Sequence, residues 1–304
     1  MNLAEKIQTS WALMKSSLRV VRDHPRLALF PVVGGVCTLL LAAFFFVPVA
    51  VLVVQSPAGQ AWLGGQGWAD ARAKETWEGM RWVFYTYGVV IYFVSMFVAT
   101  FFNVAFYNEI LRALAGQEVS VGHGLRFARG KLRSILLWSL LAGAVGAVIR
   151  AIEERLGWVG KIVMAFIGMA WSVAAVFAIP VIIRREESNP LAVLKDSALT
   201  LKRTWGESLA GYVGIRLAGF AVMLAVGVSI TVLVLCTAFM HSWALMIAGT
   251  AVLLLALLAA IFLINLANHV YRCALYVYAS EGVVPEPFTA DMMNAAWKVK
   301  QAKA

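Results

Sequence analysis

Charged residues are scarce in this 304-residue sequence, and acidic residues are the rarer kind, with 16 Asp and Glu against 26 Lys and Arg. Charged residues make up 14% of the chain, about half the share of a typical soluble domain, whereas apolar residues make up 62%. The chain has too few polar side chains to cover the surface of a soluble globular domain. It is also too apolar to be intrinsically disordered. The composition excludes both classes and predicts an integral membrane protein with several spans.

The sequence also lacks the patterns of common chemical sites. Its three cysteines, Cys37, Cys236 and Cys273, are far apart and lie in or beside apolar stretches, which is typical of packing residues and not of a disulfide framework. The four histidines form no paired metal-binding pattern. The sequence also has no phosphate-binding P-loop motif, in which GxxxxGK is followed by Ser or Thr. We therefore expect no metal and no cofactor.

Long charge-free runs dominate what the sequence does contain. A helix needs about 20 residues to cross the ~30 Å hydrocarbon layer of a membrane. The run from Leu217 to Tyr271 is too long for one crossing, and the His241-Ser242-Trp243 break divides it. The first run exceeds the apolar region of a signal peptide and is interpreted as a retained span. The runs together predict six spans, at about residues 29–54, 82–108, 134–152, 160–183, 209–240 and 243–271.

Basic residues are distributed unevenly between the two sides of these spans. The two terminal segments and the loops on their side carry 19 Lys and Arg, against 6 in the loops on the other side. Because basic loops stay in the cytoplasm, we expect both termini there and the protein in the cytoplasmic membrane. The net charge of +10 favours membrane lipids of the anionic cytoplasmic leaflet as partners, and not nucleic acid. The oligomeric state is left open.

Three similar segments precede the first, third and fifth spans. Each has a leucine (Leu18, Leu125 or Leu199) followed four positions later by Arg and then by a helix breaker. Residues four apart share a helix face, so each segment predicts an amphipathic helix in the membrane interface. Repeats of this kind are common in transporters, but duplication that produced a scaffold without transport activity explains them equally well.

The expected fold is all-α and polytopic. A cytoplasmic amphipathic basic helix covers residues 1–28, and a cytoplasmic amphipathic tail covers residues 280–304. Between them, residues 29–279 form a membrane domain of six transmembrane helices, arranged as three units of interfacial helix plus transmembrane hairpin.

Polar side chains inside the spans gather toward the predicted cytoplasmic ends. Each costs free energy in lipid and must find a partner or water. We expect Arg216 to face the bundle interior and to pair with Glu109 or with a polar stripe in the sixth span, formed by Asn265, Asn268 and His269. A hydrogen-bond cluster that locks three helices, a ligand cavity and a catalytic dyad are the alternatives, in that order, because only one carboxylate is available. The candidate ligand-binding residues are Asn103, Glu109, Arg216, Asn265, Asn268, His269 and Arg272.

Several short motifs resemble a known family. They are Ser10-Trp11, Lys15-Ser16-Ser17, Pro25, Leu29-Phe30-Pro31, Trp171-Ser172, Pro180-Val181, Ser197 and Thr204-Trp205-Gly206-Glu207. Together they resemble an uncharacterised family of prokaryotic six-span integral-membrane proteins, a domain of unknown function, from about Ser10 to about Ala279. The resemblance implies a membrane fold in a prokaryotic cytoplasmic membrane, and it implies no activity and no catalytic residue.

The expected function is that of a non-enzymatic membrane module that binds or moves a lipid or small amphiphile through a cytoplasm-facing polar cavity. A structural or assembly protein without a ligand is the alternative, and an intramembrane enzyme comes third. A cavity at Asn103, Arg216 and Asn265 would favour the first function, and a filled core there would favour the second.

Overall fold

The fold is described by a computed structural model for residues 3–56, 60, 64, 71–186, 188–204, 227–229, 231 and 243–296. These residues form α-helices and connecting turns without a β-strand, so the expected all-α class is confirmed for them. A 3-10 turn, Pro25–Ala28, joins the first two helices. The helices are α1 (Leu3–Asp23), α2 (Leu29–Gln55), α3 (Ala71–Leu114), α4 (Val121–Gly130), α5 (Leu132–Arg155), α6 (Trp158–Ala174), α7 (Ala178–Arg184), α8 (Pro190–Thr204), α9 (Trp243–Glu281) and α10 (Ala290–Ala296).

Five stretches of the described residues are long and apolar enough to cross a membrane. They are Pro25–Gln55, Arg81–Leu114, Leu132–Arg155, Gly160–Arg184 and Ile247–Glu281. They coincide with five of the six predicted spans and indicate a membrane protein. The predicted span 209–240, with Arg216, lies outside the described residues except for 227–229 and 231.

The buried core lies at one end of these spans. Ile110 near the end of α3, Ile182 in α7 and Val270 in α9 are fully buried. Away from this end the large apolar side chains are exposed, and Leu39 and Phe44 of α2 each reach 71%. An exposed apolar surface of this length indicates that lipid covers it. We call the end where α2 and α5 begin and α3, α7 and α9 finish the core end, and the opposite end the far end.

Helix α1 packs its apolar face on α9 and α10 at the core end. Leu13 and Val20 are buried, and the Ser16 hydroxyl donates to the Pro287 carbonyl oxygen over 3.4 Å. The sequence pattern predicted an amphipathic helix in the membrane interface. Protein covers the apolar side of α1, because the end of α9 and α10 offer it an apolar surface. The polar side remains exposed and carries Trp11, Lys15, Arg19 and Arg22.

The other amphipathic segments are also anchored by protein contacts. Ala128 of α4 and Val193 of α8 are buried in the same core. In α10, which forms part of the predicted tail helix, Met293 is fully buried, and the Tyr278 hydroxyl donates to the Asn294 side-chain oxygen over 2.5 Å. The core end is therefore built from the ends of the spans and from the helices between them.

Candidate functional site

The turn between α3 and α4 brings polar groups of both helices together. The Gln117 N–H donates to the Arg112 carbonyl oxygen over 2.9 Å, and Gly116 takes a left-handed φ of 70°, which ends α3 and reverses the chain. Helix α4 then packs tightly on the last turns of α3. A Cβ atom at Gly124 would lie 2.9 Å from Glu109 Cγ and 2.8 Å from a backbone oxygen of α3, so only glycine fits there.

Glu109 is fully buried at this contact, and donors surround its carboxylate. Its Oε1 lies 2.6 Å from His123 Nδ1 and accepts from Asn108 Nδ2 over 3.0 Å. Its Oε2 accepts from the Ser120 N–H over 2.9 Å and lies 3.8 Å from Arg112 Nε. The N-terminus of α4 adds a favourable dipole. Glu109 is therefore a satisfied buried charge, which is the condition for its stability in a core.

The position of the proton on His123 follows from its neighbours. Arg112 Nη1 lies 3.3 Å from His123 Nε2, and a guanidinium only donates hydrogen bonds. Nε2 is therefore the acceptor, and the ring proton sits on Nδ1, from which it is donated to Glu109. The imidazole thus links the Arg112 guanidinium to the Glu109 carboxylate. These contacts hold α3 and α4 together. We call the cluster of Glu109, Asn108, Arg112, His123 and the Ser120 N–H the Glu109 lock.

A cavity of about 200 Å³ lies next to this lock, where α2, α3 and α9 meet. Thr38, at its edge, is exposed, so the cavity opens toward the apolar outer surface of α2. Its lining is mostly apolar and includes three aromatic rings. The lining residues are Phe30, Pro31, Gly34 and Thr38 of α2, Ala99, Phe102, Asn103 and Phe106 of α3, and His269 of α9.

Asn103 is the polar residue of this cavity whose side chain makes no hydrogen bond to the described part of the chain. The other two polar groups have partners. His269 Nδ1 lies 2.9 Å from the Tyr107 hydroxyl, and the Thr38 hydroxyl donates to the Gly34 carbonyl oxygen over 2.8 Å. The Asn103 amide is therefore the group that a ligand would satisfy.

The structure brings three of the predicted site residues close together. Asn103 and His269 line the cavity, and Glu109 forms the lock beside it. Phe30 joins the two features, because its ring lines the cavity and its Cζ atom would lie 2.9 Å from a Cβ at Gly124.

The remaining predicted residues do not line the cavity. Asn265 is exposed and lies one turn farther along α9, outside the cavity lining, and its role in binding stays a prediction. Asn268 and Arg272 are half-buried on α9. Arg216 lies outside the described residues.

Sequence reasoning missed the residues that complete both features. The i,i+3 spacing of Glu109 and Arg112 was a signal for their pairing. Nothing in the sequence linked His123 to Glu109, although Gly116 followed by Ser120 is a recognisable signal for a helix end and a new start. Thr38 was missed because a threonine hydroxyl in an apolar span usually bonds within its own helix, and Tyr107 because a tyrosine in a span counts as a largely apolar side chain. No group of three or more His, Cys, Asp or Glu in the described ranges is placed to hold a metal ion.

Comparison with known proteins identifies the family of the chain. Searches of curated proteins and of solved structures found no match. A family described as being of unknown function, DUF6159, matches residues 81–285. The match includes Asn103, the Glu109 lock and His269, whereas α1 and α2, with the motifs from Ser10 to Pro31, lie outside it. The resemblance to a family of unknown function is thus confirmed over the greater part of the chain, which belongs to the DUF6159 family.

Proposed function

We propose that this protein binds a lipid or another small amphiphile in the cavity between α2, α3 and α9. The observation that carries the proposal is the Asn103 amide, which faces a cavity at membrane depth without a partner among the described residues. An unsatisfied polar group in such surroundings costs free energy. A ligand with one polar group and an apolar body would satisfy the amide and fill the aromatic lining.

The size of the cavity favours partial enclosure of the ligand. Its volume of about 200 Å³ is below the ~300–1,000 Å³ of pockets that enclose a small molecule. The rest of the ligand would extend along the apolar outer surface of α2, where Leu39 and Leu40 are 71% and 64% exposed. Such a ligand is amphiphilic and comes from the bilayer.

Two neighbouring glycines provide the test. A Cβ at Gly34 would meet Phe102 at 3.6 Å, an ordinary contact, so Gly34→Leu grows into the cavity without a backbone clash. A Cβ at Gly35 meets nothing within 4 Å, so Gly35→Leu is the matched control. We expect native mass spectrometry of the detergent-purified protein to show a bound amphiphile that Gly34→Leu removes and Gly35→Leu retains. Equal occupancy in the two variants would contradict the proposal.

The proposal includes six spans with both termini in the cytoplasm. Helix α8 packs at the core end, whereas α9 has its first residues at the far end. That these two helices lie at opposite ends supports a sixth crossing between them. With the basic segments at the core end, the positive-inside rule then favours a cytoplasmic core end in a cytoplasmic membrane whose anionic lipids are partners.

A structural role without a ligand is the second candidate. It is favoured by the Glu109 lock, whose carboxylate is fully satisfied within the protein. The two candidates differ in the occupancy of the cavity, which the Gly34 and Gly35 pair measures.

A further inference from the structure

The cavity lies at a definite depth along the three helices that form it. At 1.5 Å per residue, about twenty residues cover the ~30 Å hydrocarbon layer. Toward the far end, at least twenty residues of the predicted runs 29–54, 82–108 and 243–271 remain beyond Gly34, Asn103 and His269, whereas at most five remain toward the core end. At the far end Trp82 and Tyr85 are 71% and 62% exposed, as is typical of side chains at a membrane boundary. The cavity therefore lies at the opposite boundary, where lipid ester groups meet the acyl chains.

The polar chemistry of the cavity fits a neutral acceptor. None of the residues that line it is acidic, lysine or arginine, so it offers no ionic partner for a phosphate or an ammonium group. The Asn103 side-chain amide can donate hydrogen bonds from its NH2 group. The Thr38 hydroxyl already donates its proton to the Gly34 carbonyl oxygen. An ester carbonyl accepts such a donor, and its acyl chain continues into apolar surroundings.

The charged part of a lipid has a place outside the cavity. Arg26 is exposed one helical turn before Phe30 and therefore lies on the aqueous side of the cavity. One of its nitrogens donates to the Val119 carbonyl oxygen over 3.3 Å, which holds the side chain near the protein surface. A phosphate bonded to the glycerol would lie at this level.

From depth and chemistry together, we infer that the ligand is an ester-linked phospholipid of the core-end leaflet, held through its glycerol-ester region with Asn103 as donor. The lipid enters sideways over α2, and its headgroup stays at the membrane surface. The inference rests on the proposed binding function and assigns the ligand class.

Two phosphatidylglycerols with identical chains, one diester and one diether, are the probes. The full chain in detergent is incubated with each, and native mass spectrometry measures the occupancy. Ether oxygens are weaker acceptors, so we expect the wild type to prefer the diester about fivefold, the ratio that one hydrogen bond of about 1 kcal/mol gives. Asn103→Leu should bring the ratio to about one while both lipids still bind. Asn265→Leu, an exposed change on α9 away from the cavity, should leave it at about five.

The outcomes separate the ligand class from the binding function. Binding that Gly34→Leu abolishes but that shows no ester preference, or a preference that Asn103→Leu leaves intact, would overturn the ester assignment alone. Binding insensitive to Gly34→Leu would overturn the binding function itself. If Gly34→Leu does not purify as a folded protein, Ala99→Leu fills the same cavity from α3 and gives the same readings.

Discussion

Glu109 holds α3 and α4 together through one buried carboxylate. Glu109→Gln keeps the shape but removes the charge that His123 and Arg112 face. We expect a loss of about 2–3 kcal/mol in the free energy of unfolding, because the charge is lost and one acceptor oxygen becomes an NH2 group that faces other donors. Glu118→Gln changes an exposed carboxyl of the same turn and should cost less than about 0.5 kcal/mol. Unfolding in mixed detergent would measure both, and equal losses would contradict the role of Glu109.

Gly124 sets how closely α4 approaches α3. Gly124→Ala would place a methyl group 2.9 Å from Glu109 Cγ and from Phe30 Cζ, so the two helices must separate and the protein should lose stability. Gly122→Ala in the same helix meets only Ser120 Oγ at 4.0 Å and should be neutral or stabilising by up to about 1 kcal/mol. Melting temperatures in detergent would compare them, and a neutral Gly124→Ala would show that the contact is looser.

The partner of Arg216 stays a prediction. Four donors already surround the Glu109 carboxylate, which favours the polar stripe of α9 over Glu109 as the partner. We expect the stability losses of Arg216→Leu and Glu109→Gln to add within about 0.5 kcal/mol in a double-mutant cycle. A double variant that loses clearly less than the sum would identify Glu109 as the partner.

Helix α1 has two sides with different tasks. Its apolar side packs on α9 and α10, while its exposed side carries basic residues and Trp11, over whose ring the Lys15 ammonium lies at 5.5 Å from the centroid. This combination of Trp and cations is typical of contact with anionic headgroups. We therefore expect α1 to contact the membrane through its polar side.

We expect hydrogen exchange in α1 to be slower in nanodiscs that contain phosphatidylglycerol than in nanodiscs of phosphatidylcholine alone. Changing Lys15, Arg19 and Arg22 together to Gln should remove this difference, and so should high salt, because each cation adds up to about 1 kcal/mol near an anionic surface. Leu13→Ala should instead speed exchange in both lipids, since it removes a buried contact. The same exchange rate in both lipids for the wild type would contradict the electrostatic contact.

The orientation of the molecule is testable in intact cells. The excess of 19 over 6 Lys and Arg predicts that single cysteines at Gln117 and Ala302 are protected from an impermeant thiol reagent, whereas one at Ala69 reacts. The three native cysteines are replaced by Ala in this experiment. Reaction at Gln117 and protection at Ala69 would reverse the orientation and would place the core end outside the cytoplasm.

The composition and charge pattern were sufficient to locate the five candidate spans of the described residues. Lipid acts on each residue through its own transfer free energy, so a run such as Leu29–Val54 is apolar whatever its neighbours are. The same reasoning identified Asn103 and His269 as costly polar residues that need partners. Local rules of this kind require no knowledge of which helices adjoin.

Which groups meet was decided by the tertiary structure. The reversal after Gly116 brings His123 to Glu109, and residues from three helices, α2, α3 and α9, together line the cavity. The apolar side of α1 looked the same in the sequence whether lipid or α9 covered it, because both are apolar. The sequence by itself determined which segments are long and apolar enough to span a membrane, since that depends on local transfer free energies. The packing of the helices against one another decided that His123 meets Glu109 and that Tyr107 meets His269.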